Sequence, residues 1–122
     1  MGKVLIIDDE PSIGSFLAEI INRLGHQAVT ATTAADTFAM LDQSAFQMII
    51  ADIKLPDAPN AHEWITALCN KAAGSPIVLI SGAPSAELAE YASSKGILTF
   101  LSKPFELAFI KSMLKTMFSA PD

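Results

Sequence analysis

Residues 4–10 read VLIIDDE, four apolar residues followed directly by three acidic ones. Two later stretches are built in the same way: residues 48–52 read MIIAD, and residues 77–81 read IVLIS. Their apolar parts are continuous instead of alternating, which is typical of strands covered on both faces in a parallel sheet. Each stretch also ends in a carboxylate or a hydroxyl. These polar groups are therefore predicted to lie near one another, where the strands end.

Two weaker apolar stretches, at residues 28–31 and 98–101, complete a set of five strands, and helical segments separate them. Strands that alternate with helices require right-handed crossovers and predict an α/β fold, a doubly wound (βα)₅ arrangement around a five-stranded parallel sheet. In such sheets ligands bind beyond the carboxyl ends of the strands. The residues that follow each strand are therefore the first candidates for a functional site.

The helices are predicted from their boundaries and from their apolar spacing. The first runs from Pro11 to Leu24, because proline suits a first helical position and Gly25 suits the stop behind it. Thr33 and Asp36 resemble a capping box at the start of the second helix. Apolar residues at three- and four-residue spacing mark the first, third, fourth and fifth helices: Ile13, Phe16, Leu17, Ile20 and Ile21; Trp64, Ile65 and Leu68; Leu88, Ala89 and Ala92, before Gly96; Phe109, Ile110, Met113, Leu114 and Met117.

The bulk composition narrows the class of protein. The 122 residues fit a single domain, 1–122, and the mean hydropathy is +0.40 without any apolar run long enough to span a membrane. No signal-peptide pattern is visible, so we expect a cytoplasmic protein without membrane contact. The formal net charge of −5 argues against direct nucleic-acid binding. The one cysteine, Cys69, excludes an internal disulfide bond and is interpreted as an ordinary residue of a helix face.

Acidic residues at the ends of strands 1 and 3 predict a metal site. Clustered carboxylates repel one another, and a divalent cation relieves the repulsion. Mg²⁺ prefers oxygen ligands, commonly one or two carboxylates with water and phosphate oxygens. Asp9 and Asp52 are expected to supply the carboxylates, and Asp8 binds directly or through water. The backbone carbonyl of Lys54 is expected to complete the protein ligands.

The same edge carries the groups that phosphoryl transfer to a carboxylate requires. Asp52 is the candidate acceptor, since a carboxylate can form an aspartyl-phosphate. Mg²⁺, Lys103 and Ser81 would each neutralise one phosphoryl oxygen, and Gly82 removes bulk beside the site. Each residue taken singly also has an ordinary explanation, as a turn, a cap or a surface charge. Their joint occurrence at the ends of four strands favours the functional interpretation.

In these residues the sequence resembles the receiver (CheY-like) family of two-component response regulators. The resemblance rests on residues 4–10, 52–57 (DIKLPD), 80–82 (ISG) and 103–105 (KPF), and it extends over essentially the whole chain. It implies a flavodoxin-like, three-layer sandwich with strand order 2-1-3-4-5 and a function in phosphorelay signal transduction. The implied partners are a sensor histidine kinase or a phosphotransfer protein, and a second copy or an output domain. The implied cofactor is Mg²⁺, with Mn²⁺ as a substitute.

The resemblance also assigns roles by position. Asp52 would be the phosphoacceptor, Asp9 the principal metal carboxylate and Asp8 its assistant. Ser81 would move to meet the phosphoryl group. Lys103 would pair with Asp52 before phosphorylation and with the phosphoryl group afterwards. The domain would be a phosphoacceptor that catalyses its own phosphorylation and dephosphorylation, not an enzyme acting on other substrates.

Further positions concern switching and lifetime. Phe100 matches an aromatic switch position in strand 5, although an ordinary core aromatic explains it equally well. Switching would change the face of helix 4, strand 5 and helix 5. Pro104 is expected to form a cis turn that aims Lys103. Lys54 and Ala83 lie where similar domains tune phosphoryl loss, and we expect slow turnover.

The chain departs from the family pattern between strand 3 and helix 3. Asn60 stands where a glycine is expected, and Pro59 replaces the usual acidic residue. Asparagine tolerates the left-handed conformation better than most residues, so the turn is expected to survive.

Three other classes of protein fit the sequence less well. A binding-only pseudo-receiver would not need Asp9, Asp52, Ser81 and Lys103 together. A phosphatase of a related fold would carry its second aspartate two residues after the first, whereas Glu10 stands there. A flavodoxin-like electron carrier needs a phosphate-cradling loop after strand 1, and an acidic loop would repel phosphate.

Overall fold

The computed structural model describes residues 2–58, 60–72, 74–82, 85–97, 99–103 and 107–118, with the backbone alone at 107, 117 and 118. Five strands alternate with five helices along this part of the chain. The strands are β1 (Lys3–Ile7), β2 (Gln27–Ala31), β3 (Met48–Asp52), β4 (Ile77–Ser81) and β5 (Thr99–Ser102). The helices are α1 (Pro11–Arg23), α2 (Ala34–Gln43), α3 (Ala61–Ala72), α4 (Ala86–Ser94) and α5 (Leu107–Phe118).

The strands form one parallel sheet in the order β2-β1-β3-β4-β5. This confirms the predicted (βα)₅ arrangement and strand order. The register sets Ile7 beside Ala51 and Asp52 beside Ile80, so β1, β3 and β4 end at nearly the same level. Their carboxyl ends consequently share one edge of the sheet.

Both faces of the sheet are covered, as continuous apolar strands predict. Alternate residues of β1, β3 and β4 point to opposite sides and join two separate apolar clusters. One cluster packs the sheet against α1 and α5, and the other packs it against α2, α3 and α4. The result is the predicted three-layer sandwich. The members from these strands are Val4, Ile6, Met48, Ile50, Val78 and Ile80 on the first side, and Leu5, Ile7, Ile49, Ala51, Ile77 and Leu79 on the second.

The helix boundaries agree with the predicted signals to within a residue. α1 ends at Arg23, one residue before the predicted end, and Gly25 follows with a φ of 91°, which L side chains rarely adopt. Thr33 caps α2, because its hydroxyl accepts a hydrogen bond of 3.1 Å from the Asp36 N–H.

Asn60, which replaces the expected glycine, has a capping role in the structure. Its Oδ1 accepts a hydrogen bond of 3.0 Å from the Glu63 N–H, and its Nδ2 donates one of 2.9 Å to the Glu63 side chain. The Asn60 carbonyl also accepts the Trp64 N–H. Asparagine therefore caps the start of α3 with its side-chain oxygen. Pro59, before it, lies outside the described residues.

Two apolar residues of the helical spacing do not belong to the core. Phe16 of α1 is 41% exposed and Phe109 of α5 is 51% exposed.

Leu98, predicted to open the fifth strand, lies outside the described residues. None of the helices in the described part of the chain has the length and apolar character that a membrane crossing requires.

Candidate functional site

Asp52 lies at the floor of an open cleft of about 460 Å³ at the carboxyl edge of the sheet. It is the last residue of β3, the central strand, and only 6% of it is exposed. Its Oδ1 accepts a hydrogen bond of 3.1 Å from the Lys54 N–H, and its Oδ2 accepts one of 2.9 Å from Lys103 Nζ. The Asp52 carboxylate is thus held at both oxygens beneath the opening of the cleft.

Lys103 reaches this floor from the end of β5. Its N–H donates a hydrogen bond of 2.8 Å to the Ser81 carbonyl, which fixes the backbone from which the side chain projects. Nζ lies 2.9 Å from Asp52 Oδ2, 3.2 Å from Asp8 Oδ2 and 3.3 Å from Glu10 Oε1. Burial alone would lower the pKa of Lys103, but the hydrogen bond to Asp52 and the ion-pair contacts with the carboxylates of Asp52 and Asp8 outweigh it and raise the pKa above its ordinary range. Lys103 therefore stays protonated.

Asp8 and Asp9 follow β1 and differ sharply in exposure. Asp8 is 3% exposed, and its Oδ1 accepts a hydrogen bond of 2.9 Å from the Glu10 N–H. Its Oδ2 is buried without a hydrogen bond, because the nearby Lys103 ammonium makes an ion-pair contact but lacks hydrogen-bond geometry. Burial, reinforced by the charge of Asp52, raises the pKa of the Asp8 carboxyl. Asp9 is exposed and lines the cleft.

These carboxylates fit a hard cation. Asp8, Asp9 and Glu10 each offer an oxygen, and the three oxygens lie within 4.8 Å of one another. The Asp8 Oδ2 without a hydrogen bond is the kind of buried acceptor that a cation satisfies. An all-oxygen donor set of this kind suits Mg²⁺. The carbonyl of Lys54 remains a predicted ligand.

Ser81 completes the cleft from β4. It is the last residue of that strand, 8% exposed, and it lines the cleft beside Gly82. Phe100 of β5 pairs with Leu79 and is half-buried against the cluster under α2, α3 and α4. The structure therefore brings Asp8, Asp9, Asp52, Ser81 and Lys103 together and leaves Phe100 outside the cleft. Its switch role stays a prediction.

The comparison with protein families matches residues 4–115 to the response regulator receiver domain. The chain belongs to this family. Receiver domains mediate phosphorelay signal transduction in two-component systems, interact with histidine kinases and generally bind Mg²⁺ at an acidic pocket. This chain is a receiver domain of the two-component response regulators.

Known receiver domains resemble this one in sequence and in fold. The response regulator PilR of Pseudomonas aeruginosa is 25% identical over 114 residues, which cover 93% of this chain and 25% of PilR. The NtrC4 receiver domain, solved as a beryllofluoride-activated dimer, is 30% identical with a TM-score of 0.85 over 96% of both chains. A Burkholderia pseudomallei response regulator, solved with a phosphorylated aspartic acid and a calcium ion, shares the fold at 23% identity and a TM-score of 0.82, over 96% of this chain and 66% of that one. This receiver domain spans about a quarter of the length of PilR.

Some predictions about the site need correction or lie outside the described residues. Asp52 and Ser81 were expected to follow their strands, but each is the last residue of its strand, because the ladder to the neighbouring strand continues through it. Pro104, with its predicted cis turn, and Ala83 lie outside the described residues.

The sequence interpretation missed three contacts of this receiver domain. Glu10 was predicted only as part of the acidic run, and its ion pair with Lys103 joins residues 93 positions apart. Trp64 was predicted as a helix-core residue, yet its Nε1 donates a hydrogen bond of 2.9 Å to the Asp52 carbonyl. Asp57 binds two N–H groups at the start of α2. The one available signal for Asp57 was its position directly after a turn proline, Pro56, and this signal did not identify the N–H groups that it binds.

Proposed function

We propose that this receiver domain accepts a phosphoryl group on Asp52 in a Mg²⁺-dependent reaction, from the phosphohistidine of a sensor histidine kinase or of a phosphotransfer protein. One observation carries the proposal: the buried Asp52 carboxylate lies 2.9 Å from the Lys103 ammonium on the floor of an acidic cleft that is open to a donor. A carboxylate held in this way is oriented for attack, and the Lys103 ammonium is in place to offset the incoming negative charge.

In the proposed step an Asp52 carboxylate oxygen forms a bond to phosphorus as the bond from phosphorus to the donor imidazole nitrogen breaks. The nitrogen keeps the electron pair and takes a proton from solvent. Lys103 and the Ser81 hydroxyl act on the equatorial oxygens of the group in transfer, where negative charge is spread. The Lys54 N–H donates a hydrogen bond to Asp52 Oδ1 and so orients the acceptor carboxylate. Loss of the phosphoryl group by hydrolysis would be catalysed at the same residues.

The carboxylates of Asp8, Asp9 and Asp52 and the carbonyl of Lys54 would hold the cation, and the buried Asp8 Oδ2 without a hydrogen bond supports this assignment. Bound Mg²⁺, or Mn²⁺ in its place, supplies positive charge to the phosphoryl oxygens. Asp8 also maintains the ion pair with Lys103 from beneath, so the lysine remains near the acceptor.

The new charge on Asp52 would draw Ser81 inward, and Phe100 would pack into the space released. The face of α4, β5 and α5 would then favour a second packing arrangement, in which it binds a second copy or an output domain or protein. The activated dimer of the related NtrC4 receiver domain supports this assignment.

We assign residues 1–122 to the one receiver domain and place it in the cytoplasm.

The test is to incubate the protein with acetyl phosphate and Mg²⁺ and to record its intact mass. We expect a gain of one phosphoryl group that requires Mg²⁺ and is absent in Asp52→Asn. Asp42→Asn is the matched control, because Asp42 is exposed, pairs with Lys71 and does not line the cleft. A folded wild-type protein that gains no phosphoryl group with any metal or donor would contradict the proposal.

A further inference from the structure

Glu10 places a negative charge beside the phosphoacceptor without being part of the buried floor. Its side chain is 59% exposed and lines the cleft, and its Oε1 lies 3.3 Å from Lys103 Nζ. The same nitrogen lies 2.9 Å from Asp52 Oδ2. One exposed carboxylate and the acceptor carboxylate therefore share a single ammonium group.

Before a cation binds, the negative charges around the opening outnumber the positive ones. Three carboxylates line the cleft, those of Asp9, Glu10 and Asp52, against the ammonium groups of Lys54 and Lys103. Asp8 adds a further carboxylate beneath them. Asp9 and Asp52 belong to the proposed metal site, where a cation offsets their charge. Glu10 is exposed at the opening as Asp9 is, but it pairs with Lys103 and is not one of the proposed metal ligands, so a phosphodonor meets its charge on the way to Asp52.

Glu10 also competes with the donor for Lys103. A phosphoryl oxygen needs the ammonium group that Glu10 contacts, and an exposed ion pair of this kind is weak enough to exchange. Repulsion of the donor and competition for the lysine act in the same direction. Both effects are largest for a small donor with high negative charge. A protein donor is less affected, because contacts and complementary charges elsewhere in its interface also contribute to binding.

We propose that Glu10 is a specificity-determining residue that disfavours small anionic phosphodonors at Asp52; this inference rests on the phosphoacceptor role proposed above. The second-order rate constant of phosphorylation is the quantity it controls. The contribution is electrostatic, so it scales with the charge of the donor and weakens with ionic strength.

The test compares Glu10→Gln with the wild type, using acetyl phosphate and phosphoramidate at low ionic strength. Phosphoramidate carries less negative charge, because its nitrogen is protonated. Mg²⁺ is raised until each rate no longer depends on its concentration, since Glu10 lies beside the proposed metal ligands. We expect the rate constant for acetyl phosphate to rise about three- to sevenfold, the Coulomb effect of one charge on a dianion at roughly 7 Å in water. The gain for phosphoramidate should be smaller, and added salt should reduce both gains.

Two variants serve as controls. Glu90→Gln removes the same charge from an exposed position of α4 outside the cleft and should leave both rate constants unchanged. Glu10→Asp keeps the charge and should keep the donor preference of the wild type. Equal rates in Glu10→Gln and wild type, or equal and salt-insensitive gains with both donors, would overturn the inference while leaving the phosphoacceptor role intact. Failure of the wild type to be phosphorylated would instead refute the proposed function and the inference with it.

Discussion

At the scale of single residues, Asp57 shows how a loop carboxylate can stabilise a distant helix. Its Oδ1 accepts a hydrogen bond of 2.7 Å from the Ala34 N–H, and its Oδ2 accepts one of 3.1 Å from the Ala35 N–H. These are N–H groups of the first turn of α2, which have no partner within the helix. The bonds lower the pKa of the Asp57 carboxyl below its ordinary value. They also connect the loop after Asp52 to α2.

Asp57→Asn is expected to lower the free energy of unfolding at neutral pH, because an uncharged amide is the poorer partner for two N–H donors at a helix start. The folded-state pKa of Asp57 lies below the unfolded one. The contribution of Asp57 is therefore complete above the unfolded pKa and is lost as the pH falls through the folded pKa. Urea denaturation of both proteins, from neutral pH to below about pH 4, measures the difference. A difference that does not change with pH would contradict the charge-dependent cap.

Some residue roles follow from sequence and others do not. Asp52 and Lys103 could be predicted as neighbours because parallel strands place their carboxyl ends together. The contacts of Glu10 and Asp57 depend on where exposed side chains reach after folding. The residues in these two contacts are separated by 93 and 23 positions in the chain, so no local sequence pattern predicts them.

At the scale of secondary-structure elements, Trp64 connects α3 to the end of β3. Its side chain is fully buried, its Nε1 donates to the Asp52 carbonyl, and its ring lies 5.7 Å from that of Phe38 in α2. The hydrogen bond acts on the backbone of the phosphoacceptor, so the position of α3 helps to fix the site.

Trp64→Phe removes the donor and leaves a buried carbonyl with one partner fewer, which costs about 1–3 kcal/mol of the free energy of unfolding. Urea denaturation followed by circular dichroism measures the loss. Tryptophan fluorescence cannot be used, because Trp64 is the one tryptophan of the chain and the variant lacks it. Ile65→Val, a neighbouring buried position, is the control for lost packing and is expected to cost about 0.5–1.5 kcal/mol. A smaller loss for Trp64→Phe than for Ile65→Val would contradict a stabilising role of this hydrogen bond.

The elements themselves were largely predictable, since continuous apolar strands and glycine stops are local signals. Gly25 ends α1 with a positive φ, as its position after the apolar spacing predicts. The helical spacing did not separate core from surface, because Phe16 and Phe109 fit the period but are exposed. Spacing gives the direction of a side chain around its helix. Burial depends on how far the neighbouring elements extend over it.

At the scale of the whole molecule, the fold gathers acidic side chains from β1 and β3 around one lysine after β5. Their mutual repulsion is only partly offset by the Lys103 ion pairs, and this favours the binding of a cation at the carboxyl edge of the sheet. The order of the strands came from the family resemblance, while the clustering followed from the parallel sheet alone. The sharing of Lys103 among three carboxylates required the structure.

We therefore expect Mg²⁺ to stabilise the folded domain. A ligand that binds only the folded state adds about 2.7 kcal/mol at a concentration one hundred times its dissociation constant. Urea denaturation with Mg²⁺ and with a chelator measures the gain. Asp9→Asn should lose most of this gain, because Asp9 is the exposed carboxylate of the proposed site, whereas Asp42→Asn should keep it. An equal gain in Asp9→Asn would contradict the assignment of Asp9 as a ligand.

The position of the phosphoryl group tests the central claim most directly. The protein is phosphorylated with acetyl phosphate and Mg²⁺, reduced with borohydride, which converts an aspartyl-phosphate to homoserine, and digested for tandem mass spectrometry. We predict that residue 52 is converted, and that Asp8 and Asp9, the other carboxylates of the proposed metal site, are not. Conversion at Asp8 or Asp9, or a phosphoryl group on Ser81, would contradict the account of Asp52 as the acceptor.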